Sequence, residues 1–176
     1  MCFRGGMSRW KLSAVALLAA TLALTPGSAM AQRATVTDPA GDAAGRGLDV
    51  TSVRVANKDH RIVTTVRFVK TRRGELIVFL DPRGPHRGVT MVSRYRPQGT
   101  TRNFVLSNAG NDDTPRVRCP GFTVAWRPAR DLARMVLPST CLRRGDYGAI
   151  RFAFLTERNA ADVDFSSDWS PFIPRG

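Results

Sequence analysis

The chain has 176 residues, with 27 Lys and Arg against 14 Asp and Glu, for a formal net charge of +13 at pH 7. It contains no C-x-x-C, H-E-x-x-H, G-x-S-x-G or Walker sequence, which argues against a redox motif, a zinc ribbon and the common hydrolase and nucleotide-binding sites. It also lacks a zinc-finger, helix-turn-helix or RNP signature, so we expect no nucleic-acid partner. We therefore predict a protein that is not an enzyme and needs no cofactor.

Residues 1–31 have the pattern of a secretory signal peptide. Three basic residues precede an apolar run at 12–24, and the segment ends in the tripeptide A-M-A. The run is shorter than the roughly 20 residues that span a bilayer. We predict a secreted protein that begins at Gln32 after cleavage and has no membrane span, with an uncleaved anchor as the alternative. Met1 and Met7 are both possible start residues.

Cleavage of the leader would leave two cysteines, Cys119 and Cys141. In an oxidising compartment two cysteines predict one disulfide, with two free thiols as the alternative. Residues 120–127 and 132–137 are typical of two strands joined by the turn 128–131, and a hairpin of this kind would bring the cysteines at its outer ends together. The bridge would close a loop of about 22 residues, worth roughly 3 kcal/mol in the chain-entropy model.

Short β-rich runs dominate the chain from residue 50 onward. The runs 50–57 and 61–70 alternate apolar and polar residues around the linker Asn57–His60, which predicts a hairpin, and 75–81 is apolar on both faces, as in a central strand. Further runs lie at 88–95, 101–107, 121–128, 132–138 and 148–157. We predict an all-β, single antiparallel sandwich of about eight strands over residues 49–176, with a barrel as the alternative. Residues 32–48, which are polar and rich in glycine, are expected to form a loop or arm, and 138–142 a single helical turn.

Three sets of short motifs occur together in the chain. They are D-P-A-G-D at 38–42 with L-D-V at 48–50, the cysteine segments 119–122 and 136–142, and D-F-S-S-D-W-S-P at 164–171. This layout resembles a group of small secreted bacterial proteins with a DOMON-like sandwich, a fold shared with family-nine carbohydrate-binding modules. The resemblance implies the fold, and the wider superfamily binds sugars or haem. Its haem-binding members use Met and His as axial ligands; the chain has Met91 and Met135 in predicted strands and His60 and His86 in predicted turns.

Two acidic groups are candidates for a metal site. Asp38, Asp42 and Asp49 supply hard oxygen donors among glycines, a composition that can hold Ca²⁺, although the same residues could instead close turns through their side chains. A second group consists of Asp162, Asp164 and Asp168. The two groups can meet, because the first and last strands of a sandwich are often neighbours.

Aromatic and basic side chains are candidates for ligand binding. Tyr95, Trp126 and Trp169 could stack on sugar rings, although a tryptophan on an alternating strand is more often part of the core. Arg94 and Arg96 are two residues apart on a predicted strand, so they should share one face and could bind an anion together. We predict a monomeric binding module for a carbohydrate or an anionic cell-envelope component. A structural or protein-interaction domain and a small secreted hydrolase are the alternatives.

Overall fold

The computed structural model describes residues 32–45, 47–85, 87–107, 115–159 and 161–176. The predicted signal peptide, both possible start residues and His86 lie outside these residues. In the described part of the chain, no helix combines the length and the apolar composition needed to cross a membrane.

Two antiparallel sheets form an all-β sandwich, as the sequence predicts. The five-stranded sheet has the order β1-β2-β3-β9-β8, and the six-stranded sheet has the order β11-β10-β4-β5-β6-β7. The strands are β1 Gln32–Thr37, β2 Val50–Lys58, β3 Arg61–Phe68, β4 Gly74–Pro82, β5 Val89–Tyr95, β6 Arg102–Leu106, β7 Arg116–Val117, β8 Thr123–Arg127, β9 Leu132–Pro138, β10 Ile150–Arg158 and β11 Ala161–Phe165. Three short 3-10 turns lie at Pro128–Arg130, Ser139–Cys141 and Arg143–Gly145, of which the second is the predicted helical turn.

The predicted hairpin and central strand are confirmed. β2 and β3 pair with Lys58 opposite Arg61, so the turn between them is two residues long and shorter than the predicted linker. β4 lies between β10 and β5, and its residues Leu76, Ile77 and Val78 are all buried. Three strands were not predicted: β1, β7 and β11.

Residues 32–48 are not simply a loop or arm, because they begin with β1. This strand pairs with β2 along its whole length, and Ala34 and Val36 pack against the core while the alternate side chains face outward. A strand at a sheet edge needs few apolar residues, which is why its sequence pattern is weak. The rest of the segment is tied to the sandwich by backbone hydrogen bonds from Asp38 to Thr51 and from Ala44 to Val163.

The core fills the space between the inward faces of the two sheets. It includes Val53 and Val55 of the five-stranded sheet and Phe152 and Phe154 of the six-stranded sheet, all with at most 1% of their surface exposed. Strand alternation places the charged residues of β2 and β3 on the outside of the sandwich, whereas the polar residues Asn57 and Thr64 point inward and are buried. The fold therefore presents two outer sheet faces to any ligand.

The predicted disulfide is present. Cys119 precedes β8 and Cys141 follows β9, and the bond joins them with 5.4 Å between their Cα atoms. β8 and β9 form the expected hairpin around the turn at Asp131. The disulfide therefore holds the open end of the hairpin at one edge of the five-stranded sheet.

Candidate functional site

The outer face of the five-stranded sheet carries positive charge alone. None of its five strands contains Asp or Glu. Their basic residues all occupy outward positions of the alternating pattern: Arg33, Arg54, Lys58, Arg61, Arg67, Arg127 and Arg134. We call these seven side chains and the outward residues between them the cationic face.

Strand register arranges several of these cations in a line. Arg33 of β1 is opposite Ala56 of β2, which is two residues from Arg54. Arg54 is in turn opposite Thr65 of β3, which is two residues from Arg67. Each step from Arg33 to Arg54 to Arg67 therefore crosses to the next strand and moves two residues along it. Diagonal neighbours of this kind have Cβ atoms roughly 7–8 Å apart. The three arginines therefore form a diagonal row across β1, β2 and β3.

A second row of cations runs beside the first. Lys58 lies diagonal to Val63, and Val63 lies diagonal to Arg134 of β9. Ala56 and Thr65 lie between the two rows. The sheet thus has cations on both sides of a strip of small, uncharged side chains.

This strip lies in a shallow groove of about 560 Å³. Its lining residues are Arg33, Thr35, Ser52, Arg54, Ala56, Lys58, Val63, Thr65, Arg67 and Arg134. Among the residues that the structure describes, none of the five cations in this lining has a carboxylate within ion-pair distance. Within the described part of the chain, the groove therefore presents cations that no carboxylate neutralises.

The six-stranded sheet, in contrast, contains charged residues of both signs. Its strands contain Arg94, Arg102, Arg116, Arg151 and Arg158 together with Glu75, Asp81, Glu157, Asp162 and Asp164, so the two signs balance. Two of the arginines bind carboxylates of β4: Arg94 Nε lies 2.6 Å from Glu75 Oε2, and Arg151 Nη2 lies 2.7 Å from Asp81 Oδ2.

Arg94 lies in β5, whereas Arg96 follows the end of that strand, and Arg94 already has protein partners. Besides its contact with Glu75, its guanidinium lies over the ring of Phe104 at 5.4 Å. Both arginines line a cleft of about 300 Å³ with Tyr95 and Glu157. This cleft has mixed charge, whereas the groove on the cationic face has one sign only.

Trp126 and Tyr95 lie against each other between the two sheets. Their rings stack with centroids 4.5 Å apart, and Trp126 also stacks with Phe68 of the core at 5.6 Å. The Trp126 indole N–H donates to Ser93 Oγ at 2.9 Å, and Ser93 in turn donates to Asn103. Trp126 is therefore half-buried and joins one edge of the five-stranded sheet to β5.

Trp169 lies at a different place in the fold. Tyr95 pairs with Gly74 at one end of β4, whereas Trp169 lies beside Arg151, which pairs with Asp81 at the other end. Seven residues of strand span roughly 23 Å. Trp169 is 38% exposed, and the Arg151 guanidinium covers its ring at 4.8 Å. The three aromatic candidates therefore do not form one platform.

The two acidic groups meet, because β11 and the segment after β1 lie side by side. Oxygens of Asp38, Asp42 and Asp164 all lie within 4.8 Å of one another. The Val50 N–H donates to Asp164 Oδ2 at 2.6 Å, and the Gly41 N–H donates to Asp49 Oδ2 at 2.9 Å. Asp168 is exposed and receives a hydrogen bond from Ser167. All ligating atoms here are oxygens, the donors that Ca²⁺ prefers, and the Ca²⁺ site stays a prediction.

Crowding of these carboxylates changes their ionisation. Burial, a hydrogen bond to Asp164 and the charges of neighbouring carboxylates raise the pKa of Asp38 from 3.8 to about 7. Burial also raises the pKa of Asp164, although the Val50 N–H lowers it. Because the pKa of Asp38 is raised, the cluster carries less negative charge at mildly acidic pH than at alkaline pH.

The residues that the resemblance associates with haem are separated. Met91 and Met135 are fully buried in the core, whereas His60 is exposed in the turn between β2 and β3. No protein-family model matches the chain, and no curated protein matches it. The resemblance to DOMON-like proteins therefore stays a prediction.

Sequence reasoning missed the cationic face. It grouped arginines that are close along the chain, such as Arg94 and Arg96, while the cationic rows join residues of different strands. A usable signal was present: the strands that form this sheet contain basic residues at alternate positions and no acidic residue.

Proposed function

We propose that this chain is an exported, non-catalytic binding module, and that the cationic face binds an anionic polymer of the cell envelope. One observation carries the proposal: seven cations share an outer sheet face whose strands contain no Asp or Glu. Six of the seven are arginines, which form bidentate contacts with phosphate and carboxylate groups.

Cations that share one face, with no ion-pair partner among the described residues, favour an anionic ligand over other roles. Like charges on neighbouring strands repel one another, so the arrangement does not stabilise the fold. A face of one sign attracts a polyanion and raises its association rate. The groove brings the cations of both rows to the same side of the molecule, where one ligand can contact several of them.

The same face offers little to a neutral sugar. Sugar rings bind proteins largely by stacking on exposed aromatic side chains, and the aromatic residues of these five strands, Phe68 and Trp126, point inward. The face would therefore recognise a ligand by its charge rather than by ring stacking.

The test compares two double variants that remove equal charge from the two sheets. Arg54→Gln with Arg134→Gln removes one cation from each row of the groove, and Arg94→Gln with Arg96→Gln is the matched control. Association with isolated bacterial cell wall is measured from low to high salt, a range over which the screening length falls from about 30 Å at 0.01 M to about 3 Å at 1 M.

We expect wild-type binding to weaken steeply with salt. The Arg54/Arg134 variant should lose about tenfold or more in affinity, which corresponds to about 1.4 kcal/mol, and the control should stay within about twofold. Binding that is independent of salt and lost only on substitution of Trp126 would support a sugar platform instead. Absence of binding to cell wall and to purified polyanions would favour a structural or protein-interaction domain.

A further inference from the structure

The groove on the cationic face has a shape that restricts the ligand further. The row Arg33, Arg54, Arg67 lies on one side of the strip formed by Ala56 and Thr65, and Lys58 and Arg134 lie on the other. A globular polyanion would contact the tips of the cations, whereas an extended chain can lie on the strip and contact both sides. The arrangement therefore suits a single extended chain.

The spacing along the first row indicates how often the ligand carries charge. Consecutive arginines are diagonal neighbours, roughly 7–8 Å apart at Cβ, and the row from Arg33 to Arg67 covers roughly 15 Å. Arginine side chains are long and can close or widen these intervals. A chain with an anionic group on every short repeat would therefore place an anion near each cation.

The lining of the groove distinguishes among linear polyanions. Nucleic-acid bases and sugar rings both gain binding energy by stacking on aromatic side chains, and the uncharged residues that line the groove are Thr35, Ser52, Ala56, Val63 and Thr65. Such a lining offers no ring to stack on, but its small side chains let a slender chain approach the sheet. Arginine pairs with phosphate in a two-pronged geometry that suits a phosphate-bearing chain.

We infer that the ligand is a linear polymer of phosphate groups, joined directly or through short acyclic units, which lies along the strip between the two rows of cations. This inference rests on the proposed function, since it names the polymer class that the cationic face binds. Its phosphates would contact Arg33, Arg54 and Arg67 on one side and Lys58 and Arg134 on the other.

The first experiment separates position in the groove from charge. Arg33→Gln with Arg67→Gln removes both ends of the first row, and Arg61→Gln with Arg127→Gln removes two cations of the same face that do not line the groove. Affinity for inorganic polyphosphate should fall about tenfold or more in the first variant and by less than about threefold in the second. Equal losses of affinity would mean that binding depends on net charge and not on the position of the cations, which would overturn the inference.

The second experiment blocks the strip without changing any charge. Thr65→Trp places a bulky ring on the strip, and Thr123→Trp places the same ring on β8 outside the groove. We expect Thr65→Trp to weaken polyphosphate binding about tenfold and Thr123→Trp to leave it within about twofold. The melting curve of the Thr65→Trp variant shows whether it is folded. Unchanged polyphosphate binding by the folded variant would contradict the proposed position of the polymer on the strip.

The third experiment varies the polyanion. The affinity per polyphosphate chain should rise with chain length until the chain covers the row of arginines, and then stay constant. At equal charge, the affinity for polyphosphate should exceed the affinity for polygalacturonate and for oligo(dT). Equal affinity for all three polymers would overturn the inference while leaving a polyanion-binding module intact. Failure of every polyanion to bind would instead remove the proposed function itself.

Discussion

The two outer faces of this sandwich use charge in opposite ways. On the outer face of the six-stranded sheet, Arg94 pairs with Glu75 and Arg151 pairs with Asp81. The five-stranded sheet carries seven cations and no carboxylate, and Lys58 lies directly opposite Arg61. Opposite charges in cross-strand pairs stabilise a sheet, whereas like charges destabilise it. The first face thus follows what stability favours, and the second departs from it, as ligand-binding surfaces do.

The largest expected effect concerns the contact between the two sheets. Trp126→Ala should lower the free energy of unfolding by about 3 kcal/mol, because it leaves a cavity beside Phe68 and Tyr95 and removes the hydrogen bond to Ser93. Chemical denaturation measures the change, with Trp169→Ala as the more exposed comparison. Polyanion binding well below the melting temperature should be unchanged; a loss of binding with normal stability would contradict this assignment and place the ligand at the edge between the sheets.

Removal of the disulfide should have an effect of similar size at the free edge of the cationic face. Cys119→Ser with Cys141→Ser opens a loop of 22 residues and should cost roughly 3 kcal/mol in the chain-entropy model. Thermal melting of the variant beside wild type measures the loss. Because neither cysteine lines the groove, the folded variant should retain polyanion affinity. An unchanged melting temperature would show that the hairpin β8–β9 holds itself together without the bond.

Alternation along single strands was visible in the sequence, and this is why the fold class, the hairpin and the central strand could be predicted. β4 is apolar at consecutive positions and lies in the middle of its sheet, as that pattern indicates. The edge strands β1 and β11 were missed, because an edge strand buries little and its sequence carries a weak signal. The sequence also predicted that the two acidic groups could meet, because the first and last strands of a sandwich are often neighbours. In the structure, Asp38, which follows β1, lies close to Asp164 of β11.

The cationic face could not be predicted from the alternation of apolar and polar residues along each strand. Which cations lie beside one another depends on strand register, and register depends on the length of each turn. The predicted linker Asn57–His60 is two residues longer than the turn in the structure, Asp59 and His60, and such a difference changes which residues of β2 and β3 are opposite. The order of the strands matters as well, since Arg134 reaches the groove only because β9 pairs with β3.

A pH effect is expected at the acidic cluster, outside both faces. The pKa of Asp38 is raised from 3.8 to about 7, so the folded state binds more protons than the unfolded state between these values. The free energy of unfolding contributed by this group is therefore present at low pH and is lost as the pH rises toward about 7. Asp38→Asn should remove that dependence and raise the melting temperature at pH 8 more than at pH 5.

Melting temperatures in the presence of a chelator isolate this proton effect from any Ca²⁺ bound by the same carboxylates. Asp168→Asn is the control, because Asp168 is exposed and lies outside the group formed by Asp38, Asp42 and Asp164. A wild-type curve parallel to that of Asp38→Asn across this pH range would show that Asp38 has an ordinary pKa. The cationic face should be unaffected in either case, since its strands contain no Asp, Glu or His.

The smallest effect tests the comparison of the two faces most directly. Arg61→Gln removes the like-charged partner opposite Lys58 and should raise the free energy of unfolding by about 0.5 kcal/mol, whereas Arg151→Gln breaks the pair with Asp81 and should lower it by a similar amount. The two variants lose the same charge, so an overall net-charge effect would move both in one direction. Opposite signs that shrink together in high salt would show that local pairing sets the difference. A stability increase in both variants would mean that the repulsion is spread over the whole cationic chain, and that the balance of charges on the six-stranded sheet does not stabilise it.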